Sequence, residues 1–482
     1  MKKERIKSTL LIALVISSLI LTGQIWFNEK LWPDGYNFFV NIKESATMRI
    51  FDVLGIEKEK EPVAMTSIAS PVCLAAYVVK DFDHAITVLD TTNKNYLLVN
   101  NYISDTIVNA LSRDAKNIVK VSEDDWRKAL FTRGFYVDYG VEYKTPTFAQ
   151  IFGVYTPPLA GSIASLKRFI ITAEDSLISD VSVYVSDEST NEFYKISTGL
   201  DKTELNEKLS LIVADATPKK RFSFFINADI PTGIAGETIF APYLILNEEA
   251  ATHKIISASN PLINEDKLEI SMYTTERLLK AFSINPKTAI KYTDAEGSIM
   301  FVQSKNTLTI SPDGTLSYTT VGGGKGLKLN EKSESTETAS VLSSSMELIG
   351  EVYGIFVEGG NTRLYLNSLD EEQSIVRAKF NYIYDGIGIE FGGIHEGESG
   401  VELEFENGYL KSYRQIIRKY DDTDKTSTIE PTYNAQVFDT LSEEEKLGGV
   451  EKLFEAYYDD FTNDDKKPRW FVKIKGVDGY KK

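Results

Sequence analysis

Hydrophobic and polar positions divide the chain into one membrane-length stretch followed by a long alternation of short elements. After MKKERIK, residues 8–27 carry no charge. About 20 helical residues rising ~1.5 Å each cover roughly 30 Å, one hydrocarbon core. Beyond it, Phe39, Ile42, Ala46, Ile50 and Val53 fall at helical spacing, which predicts a short amphipathic helix over 37–54. The charged run Glu57–Glu61, closed by Pro62, reads as solvated linker.

From 66 to 165 the pattern is strands, then helices. Val72–Val79, Ala85–Leu89 and Tyr96–Val99 are rich in β-formers, and Ile103, Ile107, Ala110 and Leu111 make a helical stripe. Ser122 with Asp125 resembles a capping box ahead of Trp126–Phe131, and the proline-broken Thr145–Pro158 reads as a crossing loop. Over 166–321 strands dominate: Lys167–Thr172, Val181–Val185 and Arg221–Asn227, then a helix at Thr274–Ala281. A meander follows at Ala289–Tyr292, Ile299–Val302, Leu308–Ile310 and Leu316–Tyr318, with Pro312-Asp313-Gly314 in its last turn.

Residues 322–340, rich in Gly, Ser and charge, have the composition of a linker. In 341–482, Leu342, Met346, Ile349 and Val352 mark a helix. Ala378–Tyr384 and Val401–Phe405 alternate strictly, and Asn407-Gly408 is a strong hairpin turn. Leu447, Val450, Phe454 and Tyr457 suggest another helix, and Trp470–Ile474 a final strand. L-x-I-S-P-D-G-T-L-S-Y at 308–318 is echoed by L-x-F-E-N-G-Y-L-K-S-Y at 403–413. The expected fold class is therefore α+β. An N-terminal transmembrane helix precedes three mixed domains on mainly antiparallel sheets, at 66–165, 166–321 and 341–482, the last two sharing a design.

Topology follows from the head. Lys2, Lys3, Arg5 and Lys7 against Glu4 give a local charge of +3, which holds residues 1–7 in the cytoplasm and exports the rest. Trp26 and Trp32 sit where an interfacial aromatic belt belongs. With no A-x-A-like site after it, and with Gln24 where a lipidated cysteine would stand, 8–27 reads as an uncleaved signal anchor. A cleaved signal with an atypical site is the alternative. Residues 28–65 are then juxtamembrane segment and linker. Ala13 with Ser17, and Ser18 with Thr22, place small residues four apart, the spacing that lets a second helix approach closely. Small residues are also common in membrane helices that pair with nothing.

Charge and chemistry narrow the function classes. With 53 basic and 70 acidic residues the net charge is −17, and subtracting the +3 of the head leaves −20 on the exported part. Such a surface repels nucleic acid and limits adsorption to an anionic membrane. One cysteine, Cys73, excludes an internal disulfide and any Cys-rich zinc site, and His84, His253 and His395 leave little for acid–base work. The glycines at 386, 388 and 392 miss the dinucleotide-binding spacing. Gly322–Gly326 lacks the P-loop frame, and Gly397-Glu398-Ser399-Gly400 is one residue short of a nucleophile elbow. Asp421, Asp422 and Asp424, like Asp459, Asp460, Asp464 and Asp465, fail the calcium-loop pattern and read as solvated acidic turns. No catalytic, metal or cofactor site is nominated.

In order along the chain, several segments resemble the YycH family, accessory proteins of the WalK sensor histidine kinase of Gram-positive bacteria. They are MKKERIKSTLLIALVISSLILTGQIWF, VSEDDWRKALFTRGFYVDYGV, SINPKTAIKYTDAEGSIMFVQSKNTLTISPDGTLSY, FNYIYDGIGIEF and PRWFVKIKG. LWPDGYNFFVNIKESATMRIF matches least. The resemblance implies a single-pass membrane protein with three extracytoplasmic domains and no catalytic residues. It also implies two partners, a WalK-like kinase and a YycI-like accessory protein, engaged through transmembrane contacts. The alternatives are a membrane-tethered module that captures a wall fragment or peptide, and, against the scarcity of His, an exported wall-processing enzyme.

Overall fold

Strict alternation over 134–144 sends Phe135 and Val137 to one side of a strand and Tyr136 to the other, and both sides are buried. The computed structural model describes residues 70–80, 83–90, 93–173, 180–212, 220–223, 240–241, 243–264, 267–329, 337–357, 362–432, 440–442, 445, 449–462, 464–477 and 479–481. All belong to a unit spanning Pro62–Lys482.

Nine strands make the first sheet: β1 (Cys73–Lys80), β2 (Asp83–Val88), β3 (Ile118–Val121), β4 (Gly134–Lys144), β5 (Ser165–Ala173), β6 (Asp180–Asp187), β7 (Glu192–Asp201), β8 (Lys220–Phe222) and β9 (Ile245–Asn247). Their order is β3-β7-β6-β5-β4-β1-β2-β8-β9, antiparallel throughout. One face carries α1 (Tyr96–Leu111) and α4 (Lys202–Leu211), whose Val99, Ile103, Ile107, Leu205 and Leu209 pack with Phe135, Val137, Phe169 and Ile171. The other face carries α2 (Glu123–Leu130). There Trp126, Ala129 and Leu130 meet Tyr136, Ile170 and Tyr184. Ser122 caps α2 as expected, its Oγ accepting from the Asp125 N–H at 3.1 Å. Residues 96–99 are the first turn of α1, not a strand, because Val99 begins the stripe continued by Tyr102, Ile103, Thr106 and Ile107. Residues 145–151 form a short helix, α3 (Thr145–Ile151), where a crossing loop was expected. Pro146 is tolerated there in the first turn, and Phe148, Ala149 and Ile151 are buried.

The second sheet has eleven strands. The meander is β13 (Ile290–Thr293), β14 (Ile299–Gln303), β15 (Asn306–Ile310) and β16 (Thr315–Thr320), as its alternation predicts. Ahead of it come β10 (Ala251–Ser259), the small hairpin β11 (Ile263–Asn264) and β12 (Lys267–Leu268), and α5 (Met272–Ala281). After it come α6 (Thr338–Phe356), β17 (Thr362–Glu372), β18 (Ile375–Tyr384), β19 (Ile387–Phe391), β20 (Val401–Glu406), β21 (Tyr409–Ile416), β22 (Lys419–Ile429), β23 (Val450–Asp459) and β24 (Pro468–Ile474). The order is β13-β14-β15-β16-β21-β20-β18-β19-β23-β24, with β17 beside β18. Only β19 with β23 is parallel among the described pairs of this sheet. The Asn407-Gly408 turn takes positive φ at both residues, 53° and 78°, and joins β20 to β21.

The two echoed hairpins meet. β16 pairs with β21, and the tyrosines that end the two motifs, Tyr318 and Tyr413, stand directly opposite each other. Both are buried against Phe282, with ring centroids 5.2 Å away in each case. One sheet thus continues from 290 to 474, on both sides of the Gly/Ser-rich stretch, and the first sheet continues through 165/166 by the pairing of β4 with β5.

Two corrections concern the C-terminal third. Residues 450–459 form a strand, not a helix. Leu and Phe spacing there suits either period, and pairing with both β19 and β24 decides it. The acidic stretch 421–424 is not a turn but part of β22, which pairs with β10 along most of its length.

Candidate functional site

Every residue nominated from the sequence lies outside the described residues: Lys2, Lys3, Arg5, Lys7, Ala13, Ser17, Ser18, Thr22, Trp26 and Trp32. Among the described residues no helix is long and apolar enough to cross a membrane. What the described body offers is a set of buried charge clusters and one exposed edge.

The first cluster gathers around Asp459, the last residue of β23, which is fully buried. Arg418, 3% exposed, approaches it bidentately from between β21 and β22, Nε at 2.8 Å and Nη2 at 2.9 Å. The Tyr420 hydroxyl donates to the same carboxylate at 3.0 Å, and Lys466 Nζ lies 3.8 Å from it. Phe461 stacks under the guanidinium, 4.6 Å from ring centroid to Cζ. Two donors in a fork plus a phenol satisfy most of the lone pairs of the carboxylate, which a buried ion pair requires. Asp459 and Arg418 were indistinguishable in sequence from solvated residues. The signal that finds them is their shared burial, visible only once β22 and β23 are folded.

A second cluster ties β4 to β5. Arg168 pairs with Asp138 at 3.0 Å, contacts Glu188 and lies over the Tyr243 ring at 3.7 Å. Burial works against the Asp138 carboxylate, but the charges of Arg168, Lys167 and Lys452 together with the Gly140 N–H outweigh it and hold the acid below its usual range. Further along, Glu390 on β19 is 6% exposed and its Oε1 has no hydrogen-bond partner. Burial pushes its carboxyl up to about 7, partly offset by Lys452. Burial in turn brings Lys452 down to about 8, helped by the like charge of Lys167.

The remaining reactive types are held in place. Burial, with the charge of Asp138 behind it, pushes the Cys73 thiol up to about 12, so it stays protonated at neutral pH. His253 lies 2.8 Å from Glu455. His395 is buried, with Nδ1 2.6 Å from Glu398 and its ring against Phe461. The side chain of His84 is outside the described residues. Asp421 and Asp422 are paired with Lys419 and Lys254, at 2.7 and 2.6 Å. Among the described residues no three His, Cys, Asp or Glu side chains converge as a metal site. These arrangements pair charges and fasten strands together. None sets a nucleophile beside a base.

The exposed edge is β13. It ends the second sheet, all four of its residues are exposed, and Ile290 and Tyr292 share one face. An edge strand with exposed apolar side chains is a surface on which another chain can pair.

Compared with known proteins, the fold has a counterpart. It is similar to that of YycH from Bacillus subtilis. The YycH crystal structure superposes with a TM-score of 0.56 and 11% identity, covering 87% of this chain and 97% of that one. No protein-family model matches the chain, and no curated protein does. At that identity the likeness lies in the path of the backbone, the two large antiparallel sheets with a few helices, rather than in shared side chains.

Proposed function

We propose that the chain is a non-enzymatic, membrane-anchored regulator of a WalK-like sensor histidine kinase controlling cell-wall metabolism. It acts through transmembrane-helix contacts together with a YycI-like partner. In this reading the N-terminus is cytoplasmic, 8–27 spans the membrane once, and the acidic body stands outside. The observation that carries it is the backbone likeness to YycH, which extends over 97% of that chain. The ordered sequence resemblance and the basic-headed apolar segment support it further.

The physics suits regulation without catalysis. An apolar helix has no reactive groups, but it biases a kinase by packing better against one signalling state than another. A difference of about 1–3 kcal/mol is an ordinary coupling energy for such a bias. Close packing needs small residues, and the Ala13/Ser17 and Ser18/Thr22 pairs supply them. Replacing either pair by Leu or Phe is expected to change kinase output and to weaken co-purification of the kinase. Unchanged output together with unchanged co-purification would remove these faces from the mechanism.

A further inference from the structure

Charge is spread unevenly along the chain. Residues 466–482 hold seven basic residues and one acidic, a net of +6, while the whole chain carries −17, so residues 1–465 hold −23. Four of the cations fall at alternate positions in and beside β24: Lys467, Arg469, Lys473 and Lys475, with Phe471 completing the series. Period two sorts the segment onto two sides. Pro468, Trp470, Val472 and Ile474 are buried, the last three packed with Val450 and Leu453, and the odd-numbered residues take the other side. Side chains two apart on a strand stand about 6.7 Å from each other, so Lys467 to Lys473 is a row of roughly 20 Å.

The row is short of counter-charge. Lys473 has Glu451 at 3.6 Å, while Lys467, Arg469 and Lys475 are exposed and form no ion pair among the described residues. Lys466, by contrast, turns inward to Asp459 and Asp460. Between the cations the floor is aromatic and closed. Phe471 is 3% exposed and stacks on Phe454 at 5.8 Å, Tyr480 meets Phe454 edge-on at 5.1 Å, and the Arg469 guanidinium lies 4.6 Å over Tyr458. These rings are already partnered and offer no open face to a nucleobase. The outer edge of β24 is engaged too. Val472 and Lys481 exchange both backbone hydrogen bonds, at 3.0 and 2.8 Å, in the place an added peptide strand would use.

What remains is a linear row of cations without partners. We propose that it binds a base-free phosphodiester polymer, of the poly(glycerol phosphate) type, lying along β24 with its phosphates against Lys467, Arg469, Lys473 and Lys475. The planar fork of Arg469 suits two oxygens of one phosphate. The acidity of the rest of the body does not prevent this, because at about 0.15 M salt charges beyond ~8 Å are largely screened and the polymer feels the row it touches.

The test is fluorescence anisotropy of end-labelled poly(glycerol phosphate) with the full chain in non-ionic detergent micelles. Saturable binding, weakened about 10-fold or more by the triple variant Lys467→Gln, Arg469→Gln, Lys475→Gln, supports the proposal. The slope of log affinity against log salt should fall with it, by about 0.7 for each cation removed and roughly 2 for the three. A second triple variant, Lys94→Gln, Lys287→Gln, Lys328→Gln, makes the same change in net charge at exposed lysines elsewhere and is expected to leave binding within about 2-fold. Equal weakening by the two variants would overturn the proposal, since net charge alone would then be the attraction. Tighter binding of polyglutamate, of oligothymidylate or of phosphatidylglycerol vesicles would also overturn it, assigning the row to an acidic peptide, a nucleic acid or a membrane. No saturable binding, or binding by the parent protein that salt does not weaken, would overturn it as well and leave the cations as guards of an edge strand.

Discussion

Glu390 offers the sharpest quantitative test of the buried body. Its carboxyl is 6% exposed, one oxygen is unpaired, and burial raises it from 4.5 to about 7. The folded state therefore holds a proton that the unfolded chain releases above pH 4.5. Its contribution to stability is full below that pH, falls as pH rises, and is lost beyond about 7. The rise from 4.5 to about 7, at ~1.36 kcal/mol for each tenfold change in proton affinity, amounts to a loss of about 3 kcal/mol by pH 8. Glu390→Gln removes the charge and keeps the shape. At pH 4.5 the variant is expected to lie within about 1 kcal/mol of the parent, because the acid is still largely protonated and the new amide must find its own partners. At pH 8 its advantage should have grown by about 3 kcal/mol. Urea unfolding of both proteins at the two pH values reads this directly, and comparing the pH values cancels any fixed cost of the amide. A difference between variant and parent that does not change with pH would refute the reasoning.

Removing one partner of the deepest ion pair should be costly. Asp459→Asn leaves the Arg418 charge buried and is expected to lose about 3–5 kcal/mol, while Asp459→Leu with Arg418→Met recovers much of it, both read as denaturation midpoints. Lys452, brought from 10.5 to about 8, has the opposite sign to Glu390: its penalty is present below pH 8 and disappears as pH rises toward 10.5. Lys452→Met should thus stabilise at pH 7 by about 1–2 kcal/mol, discounted because water reaches this partly exposed side chain, and by nothing near pH 10.5. Equal effects at both pH values would contradict the assignment. Phe282→Ala removes the ring packed against both Tyr318 and Tyr413 and should cost about 3–5 kcal/mol; a loss under 1 kcal/mol would mean the two hairpins do not depend on that ring.

Much of the fold was legible because it is built from period-two alternation closed by turns of definite chemistry. The meander 289–318 and the Asn407-Gly408 hairpin are the clearest cases. Where the reading failed, local pattern was overruled from a distance. Val450, Phe454 and Tyr457 fit a helical stripe, but in the fold their segment pairs with β19 on one side and β24 on the other. The run KYDDTDKTSTI has almost no apolar periodicity, yet β10 zips it into a strand, and lysines 254 and 419 pair with two of its three acids, Asp422 and Asp421. Nor does sequence tell which of 70 acidic residues is buried: Asp459 sits in a run of acids and differs from its neighbours only in what folds over it. The nominated contact residues show the reverse. They were nominated from the charge of the head, the apolar length, the aromatic flank and the spacing of small residues, and they lie outside the described residues.

The central claim is that the apolar segment, not a catalytic site, carries the function. Photo-crosslinking from single positions between 10 and 25, in living cells with the kinase at its natural level, tests it most directly. The account predicts capture of a sensor histidine kinase or a YycI-like membrane protein, strongest from the positions of Ala13, Ser17, Ser18 and Thr22 and weak from the opposite face. No captured kinase or accessory protein from any position, with full activity retained when the anchor is exchanged for an unrelated helix, would contradict it.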